Sequence, residues 1–442
     1  MANRGTGEHW LYDLIDELEI NEGNLKARLQ SKAFRERLFD SLGKGDKFDP
    51  SQVPLTGALV AGIGLDLASW ATCTDFKCRN KTSDREFPQV LHYFDWVVME
   101  GPSRSRYRDW VLDTKRRGNP HPLIESIEDD IKVMLHLRKT GLANYIRFTK
   151  KVDCYCPEHM KQKADELGLG FLAEDDYLTG IAKEFSRAGR VSVIQTGPRR
   201  WRGKVWSSQF SEALTLPYDR KTRPKKVDVA RDVLGPHMHE TLHNAVTAKE
   251  LGAPLSSLGD DEFFVPSASA GANAFTVDDV ALRVRIPVLL GLNTEQFIKL
   301  REEEYDHFIS FRKLLRQAIE ETVSQAQAES PETAADKVWR NSIQPQVVDL
   351  ERKISASNRS LVRKLVTGVS FGATSAGVGS LLGAVSASLG TPLGAALGAA
   401  AGTVALLPTA LPLVTKHFEE RQQFETDGAY FVWKAQKAGG HS

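Results

Sequence analysis

The residues best suited to chemistry lie in the sequence H-E-T-L-H at positions 239–243. On a helix, residues four apart share one face, so His239 and His243 can bind one Zn²⁺ through their imidazoles. The intervening Glu240 can then act as the general base on a zinc-bound water. The spacing therefore predicts a hydrolytic zinc centre, and such a centre still requires a third protein ligand.

The motif and its distance from Glu262 resemble the gluzincin metallopeptidases. Eighteen residues separate His243 from Glu262, and in gluzincins the third zinc ligand is a glutamate at about that distance. The resemblance covers 24 residues and implies a zinc peptidase with His239, His243 and Glu262 as ligands. Glu262 lies in the sequence G-D-D-E, however, which favours a turn rather than the helix that carries this ligand in the family. Two histidines that are solvated or packed on a helix are the alternative interpretation.

The four cysteines could form a second metal site. Cys73 and Cys78 are spaced C-x4-C, and Cys154 and Cys156 are spaced C-x-C. Thiolates are preferred ligands of structural zinc, but neither spacing is the usual C-x2-C, so ordinary thiols are the alternative. Four cysteines in 442 residues cannot build a disulfide scaffold, and the first residues lack an apolar signal-peptide core. Both observations predict a reducing, cytosolic environment.

A basic segment from Arg199 to Lys226 predicts an anionic partner. Nine cations meet only Glu212 and Asp219 there, and Trp201 and Trp206 lie among them. Such surfaces dock at lipid headgroups or stack nucleic-acid bases, and a solvated basic loop is the alternative. The candidate anion-binding residues are Arg199, Arg200, Arg202, Lys204, Arg220, Lys221, Arg223, Lys225 and Lys226.

These residues must be positioned by more than one folded unit. The chain has 442 residues, of which 41% are hydrophobic and 26% charged, so it is too long for one small domain and too apolar for disorder. The 58 basic and 57 acidic residues leave a formal charge of +1. No overall electrostatic field therefore marks a protein that coats nucleic acid.

Residues 1–292 have the pattern of an α/β domain. Apolar runs at 55–67, 90–99, 145–156 and 191–196 alternate with helical periodicity. This alternation predicts a mixed sheet flanked by helices, on the cytosolic side. Residues 227–251 are predicted to be helical, with Gly235-Pro236 starting a new helix just before the H-E-T-L-H motif.

Residues 293–364 are predicted to form an amphipathic helical stalk. Apolar residues from Phe297 to Val323 recur at spacings of three to five, which predicts one long helix. Pro331 should open a second helix, which Pro345 should kink. A coiled coil of two antiparallel helices and a four-helix arrangement both fit this pattern.

The span 365–415 contains 51 residues without one Asp, Glu, Lys, Arg or His. A membrane-spanning helix needs roughly 20 residues, so this length predicts a glycine-zipper hydrophobic hairpin that turns near Pro392. Glycines spaced four apart would let its helices pack closely, namely Gly390, Gly394, Gly398 and Gly402. A hairpin buried within a soluble protein or oligomer would also exclude charge.

Cations at both ends of this span predict that both ends face the cytoplasm. The amphipathic tail, residues 416–442, would then lie along the membrane interface. The sequence as a whole predicts a membrane-associated effector of the toxin or defence type, whose α/β domain is coupled by the stalk to a self-associating hairpin. Its predicted partners are membrane lipid and further copies of the chain. The alternatives are a membrane-anchored zinc peptidase, and a soluble protein that binds lipid or, less favoured, nucleic acid through the basic segment.

Overall fold

The computed structural model describes residues 9–44, 57–62, 65–67, 75–108, 121–152, 156–207, 213–256, 276–325, 330–355 and 428–439. These residues divide into two compact units. The first unit holds the described residues up to 284 together with 292–299 and 330–331, and the second holds 285–291, 300–325, 332–355 and 428–439. The predicted hairpin and its four glycines lie outside the described residues.

The first unit begins with three short helices, α1 (Trp10–Glu17), α2 (Leu25–Gln30) and α3 (Lys32–Gly43). The imidazole of His9 caps α1 by accepting a hydrogen bond from the backbone N–H of Leu11. Leu11, Leu14 and Ile15 then bury one face of α1. Their spacing of three and four residues is what a helix needs to present a continuous apolar stripe.

A parallel sheet forms the centre of this unit. Its strands are β1 (Ala58–Val60), β2 (Trp96–Met99) and β3 (Ile146–Phe148), in the order β1-β2-β3. Helices α4 (Phe76–Leu91) and α5 (His121–Lys139) connect them, and a further helical turn covers 104–108. Leu255 adds an isolated parallel bridge beside Val60. Because the strands are parallel, their carboxyl ends lie at the same edge of the sheet.

An antiparallel sheet follows in the same unit. It contains β4 (Val191–Gly197), β5 (Arg200–Val205) and β6 (Leu214–Asp219), after α6 (Pro157–Asp165) and α7 (Asp175–Arg187). One face of this sheet packs on the long helix α8 (Lys226–Leu251), where Val191 and Val205 share an apolar core with Val229. The two sheets confirm the coarse prediction of mixed α/β structure.

Helix α8 is continuous, which corrects the predicted break at Gly235-Pro236. Pro236 lies inside the helix and its main chain remains helical. A proline in a helix interior costs about 3 kcal/mol, but Val233, Leu234 and Met238 around it are buried in the apolar core. Their burial offsets the lost hydrogen bond and holds the helix together.

The next helices are α9 (Val277–Ala281), α10 (Pro287–Leu290), α11 (Thr294–Glu303) and α12 (Tyr305–Gln325). The single long helix predicted from 297 to 323 is therefore two helices, with a turn at Glu304. Helix α13 (Pro331–Lys337) runs through a π-helical turn, Val338–Ile343, into α14 over residues 344–355. This turn lies just before Pro345, where a proline removes a regular helical hydrogen bond.

In the second unit the last helix, α15 (Tyr430–Gly439), packs against α12. The ring of Phe431 lies 5.1 Å from that of Phe308 and 5.6 Å from that of Phe311, between centroids. Phe431 is fully buried, so this part of the tail belongs to a protein core rather than to an interface with lipid. Among the described residues, no helix has both the length and the hydropathy to cross a bilayer.

Candidate functional site

Charged residues follow all three parallel strands at the edge where the strands end. Asp66 lies six residues after β1, Glu100 directly follows β2, and Lys151 lies three residues after β3. Lys151 Nζ lies 2.9 Å from Asp66 Oδ2. The carboxyl edge of a parallel sheet is where open α/β folds bind their ligands.

Helix α8 brings a fourth charged residue to this edge. Glu240 Oε1 accepts a hydrogen bond from Lys151 Nζ at 2.8 Å. The side chains of Asp66, Lys151 and Glu240 are only 1%, 12% and 9% exposed. We call these three residues and Glu100 the Lys151 cluster.

Two members of the Lys151 cluster, Lys151 and Glu100, have pKa values shifted by their surroundings. Burial lowers the pKa of Lys151, but the charges of Asp66, Glu240 and Glu100 outweigh burial and raise that pKa well above its usual range. Burial raises the pKa of Glu100 to about 7; Lys151 opposes this shift, whereas Asp66 and Glu240 add to it. Near neutral pH the cluster therefore contains a permanent cation and a carboxyl group that can give or take a proton.

Two local features hold the backbone beside the cluster in place, one next to Asp66 and one next to Glu100. The Arg79 guanidinium on α4 pairs with the buried carboxylate of Asp130 and donates to the carbonyl of Leu67 at 3.2 Å, which holds the residue next to Asp66. Gly101, next to Glu100, has φ +68°, and a Cβ there would lie 2.8 Å from the ring of Phe148. A side chain at position 101 would therefore displace either Phe148 or Glu100.

The two histidines of the H-E-T-L-H motif meet beside the Lys151 cluster. His243 Nε2 lies 3.2 Å from His239 Nε2. His243 Nδ1 lies 2.7 Å from the carbonyl oxygen of Val152, so Nδ1 carries a proton and Nε2 is the nitrogen left to accept one or to bind a metal. Two nitrogens on one tetrahedral zinc ion lie roughly 3.3 Å apart, and a backbone carbonyl commonly orients the other nitrogen of a zinc-bound histidine.

The zinc prediction is only partly covered by the structure. His239 is exposed at the surface of α8 and His243 is buried, and both fit a shared ion. Glu262 lies outside the described residues. Among the residues that the structure does describe, no group of three His, Cys, Asp or Glu side chains could hold a metal ion. Glu240, the predicted general base, is ion-paired with Lys151, a partner 89 residues away in sequence.

The predicted cysteine site also lies partly outside the described chain. Cys78 is exposed on α4, and Cys156 is half-buried just before α6. Cys73 and Cys154 belong to the part that the structure does not describe. The four-thiolate site therefore stays a prediction.

The structure distributes the basic segment over one strand and two turns. Arg200, Arg202 and Lys204 point outward from β5. Trp201 points to the opposite side, half-buried, and its indole N–H donates to the carbonyl of Arg220 at 3.0 Å. The remaining cations lie at the strand ends and the start of α8. Arg199 pairs with Asp219 at 3.7 Å, and Arg223 donates a hydrogen bond to the carbonyl of Val193. Three lysines are exposed, namely Lys221, Lys225 and Lys226.

Comparison with known protein families, with curated proteins and with solved structures finds no match to the chain. Sequence reasoning missed Asp66, Glu100 and Lys151. A signal was present, because each of these charged residues lies within six positions after a short stretch that becomes a parallel strand, namely Ala58–Val60, Trp96–Met99 and Ile146–Phe148. Charged residues shortly after successive buried strands predict a shared edge once the strands are taken as parallel.

Proposed function

We propose that the first unit is an enzyme domain that carries out general acid–base catalysis at the Lys151 cluster. The observation that supports it is the convergence of one ammonium and three carboxyl groups from three strand ends and α8. Buried charges are costly, and a well-packed apolar set would serve stability as well or better. Groups with shifted pKa values at such an edge are typical of catalytic sites.

The members of the cluster have complementary roles in this proposal. Glu100, with a pKa of about 7, donates a proton to the leaving group of the substrate. Asp66 and Glu240, each paired with Lys151, accept the proton of an attacking water or stabilise positive charge. Two carboxyl groups in different environments can divide acid and base roles in this way.

The charge of the cluster defines the substrate class. The three carboxyl groups outnumber the ammonium groups of Lys151 and Lys150 that act on Glu100, so the site is net negative when Glu100 is ionised. Such a site repels phosphates and other anions. We therefore propose hydrolysis or group transfer on a neutral or cationic polar substrate.

A second candidate, the zinc hydrolase, is favoured by the 3.2 Å contact between the two Nε2 atoms and by the Val152 carbonyl that orients His243. In that candidate His239, His243 and Glu262 would hold the ion, which would supply an activated water, and Glu240 would serve as base. The two candidates share a location but differ in their dependence on metal.

One experiment tests the enzyme proposal and separates the two candidates. A metabolite extract is incubated with the full chain and followed by mass spectrometry, with and without a chelator. We expect neutral or cationic compounds to be consumed by the wild type in the presence of chelator, and not by Glu100→Gln. Loss of consumption on chelation and in His239→Ala, with Glu100→Gln still active, would assign the reaction to zinc instead.

We further propose that the chain is held at the cytoplasmic side of a membrane by the 365–415 span and assembles with copies of itself through Gly390, Gly394, Gly398 and Gly402. The absence of charge over 51 residues supports this proposal. This arrangement suits a toxin or defence effector. In such an effector the first unit acts while the chain is assembled at the membrane.

Fractionation of cells tests the membrane proposal. Val378→Arg combined with Val404→Arg puts a charge at the middle of each predicted helix, which costs about 2.5–3.5 kcal/mol per arginine in a bilayer. We expect the wild type in the membrane pellet and this variant mostly in the supernatant. The matched control, Gln30→Arg with Gln317→Arg, adds the same charge at exposed positions and should stay in the pellet; equal distribution of all three proteins would contradict the proposal.

A further inference from the structure

The outward face of the antiparallel sheet carries a row of cations on its central strand. Arg200, Arg202 and Lys204 occupy alternate positions of β5 and are exposed, at a spacing of roughly 6.7 Å along the strand. Among the described residues, none of the three forms an ion pair within 4 Å. Asp219, the carboxylate opposite Arg200 in the register, pairs with Arg199 instead.

Apolar side chains flank this row. Ile194 lies directly opposite Arg202 on β4 and is 54% exposed, and Pro217 lies opposite Arg202 on β6. Trp206, two residues beyond Lys204, is 38% exposed. Cations with neighbouring isoleucine and tryptophan suit a bilayer surface, where cations meet headgroup phosphates and the apolar groups enter the interface.

The same register disfavours a single-stranded nucleic acid. Binding of that kind needs exposed aromatic rings on which bases stack. Trp201 and Tyr218 face the core side of the sheet, where Trp201 is opposite Tyr218 and both pack toward α8. Among the described residues, the outward positions of β4, β5 and β6 carry no aromatic ring, and Trp206 just beyond β5 offers a single exposed ring at the edge of this face. The interleaved tryptophans of the sequence therefore do not form a stacking platform.

We propose that the outward face of β4–β6, centred on Arg200, Arg202 and Lys204, docks on an anionic phospholipid bilayer. The complementarity between this row of three exposed cations and lipid phosphates supports the assignment, which is independent of the catalytic proposal. The face would add a charge-dependent contact to any insertion of the 365–415 span.

Vesicle flotation of the full chain tests this proposal. Binding is measured to vesicles of phosphatidylcholine alone and to vesicles with added phosphatidylserine. The ratio of the two affinities isolates the charge-dependent contact from insertion, because insertion occurs in both. Each cation near an anionic surface contributes about five-fold in affinity, so Arg202→Gln with Lys204→Gln should reduce the phosphatidylserine preference roughly 30-fold. The matched control, Lys26→Gln with Lys77→Gln, removes two exposed cations elsewhere in the first unit and should keep the preference.

Three results would overturn the proposal. The wild type could show no preference for phosphatidylserine, the control could lose the preference as fully as the β5 variant, or the β5 variant could keep it. Circular dichroism of both variants shows whether they are folded, and Arg200→Gln alone, with a smaller expected loss, replaces the double variant if that one unfolds. Binding to an oligothymidylate that depends on the same three residues, without any lipid preference, would assign the face to nucleic acid.

Discussion

Replacing Lys151 by methionine is expected to lower the free energy of unfolding of the first unit by about 3–5 kcal/mol at neutral pH. The substitution keeps most of the side-chain volume but leaves the buried carboxylates of Asp66 and Glu240 without the ammonium that both contact. Uncompensated buried charge is among the largest single destabilising effects in proteins. Urea denaturation followed by circular dichroism measures the change.

Two further variants test this prediction: one should restore the lost stability, and the other is a control at a surface ion pair. Combining Lys151→Met with Asp66→Asn and Glu240→Gln removes the two buried negative charges that have lost their ammonium partner. This variant should recover most of the lost free energy of unfolding. Lys163→Met breaks an ion pair with Glu250 at the surface and should cost less than about 1 kcal/mol. A Lys151→Met variant as stable as Lys163→Met would show that the Lys151 cluster does not hold its charges as described.

Replacing Glu100 by glutamine is expected to change how stability depends on pH. The folded-state pKa of Glu100 is about 7, above its usual value of 4.5, so the folded state binds a proton more tightly than the unfolded state. The wild type therefore has the full contribution of this group below pH 4.5 and loses it as the pH rises through 7. The loss amounts to about 3 kcal/mol, and Glu100→Gln, which cannot ionise, does not suffer it.

Denaturation at a series of pH values checks this second prediction. At pH 4 the wild type and Glu100→Gln should unfold at similar urea concentrations, and at pH 8 the variant should be the more stable protein. Glu36→Gln, at an exposed position of α3, is the matched control and should follow the wild-type curve. Parallel curves for the wild type and Glu100→Gln would refute a raised pKa at Glu100.

Much of the α/β architecture was predictable because its signals are local. The apolar runs at 90–99 and 145–156 each contain an observed strand, and the run at 191–196 covers all but the last residue of β4, since a short buried strand is defined by its own residues. The periodicity of Leu11, Leu14 and Ile15 likewise indicates one buried helix face. The break expected at Pro236 was wrong, because the packing of distant residues around α8 outweighs a local preference.

The candidate site was predictable only in part, since its contacts join distant parts of the chain. Position and spacing marked Glu240, but its partner Lys151 is 89 residues away, and no spacing reveals that ion pair. The inward direction of Trp201 follows from strand alternation once Arg200 and Arg202 are known to face outward. That alternation depends on the register of β5, which the sequence alone leaves open.

Helix α8 is one continuous helix of 26 residues. Near its start Val229 and Val233 are embedded in the core beneath the antiparallel sheet, and near its end Ala248 and Leu251 lie against β1 and β2 of the parallel sheet. His239, Glu240 and His243 are carried between these two attachment points. One continuous helix therefore ties the core beneath the antiparallel sheet to the side chains that surround Lys151, so the position of these side chains depends on the packing of both sheets.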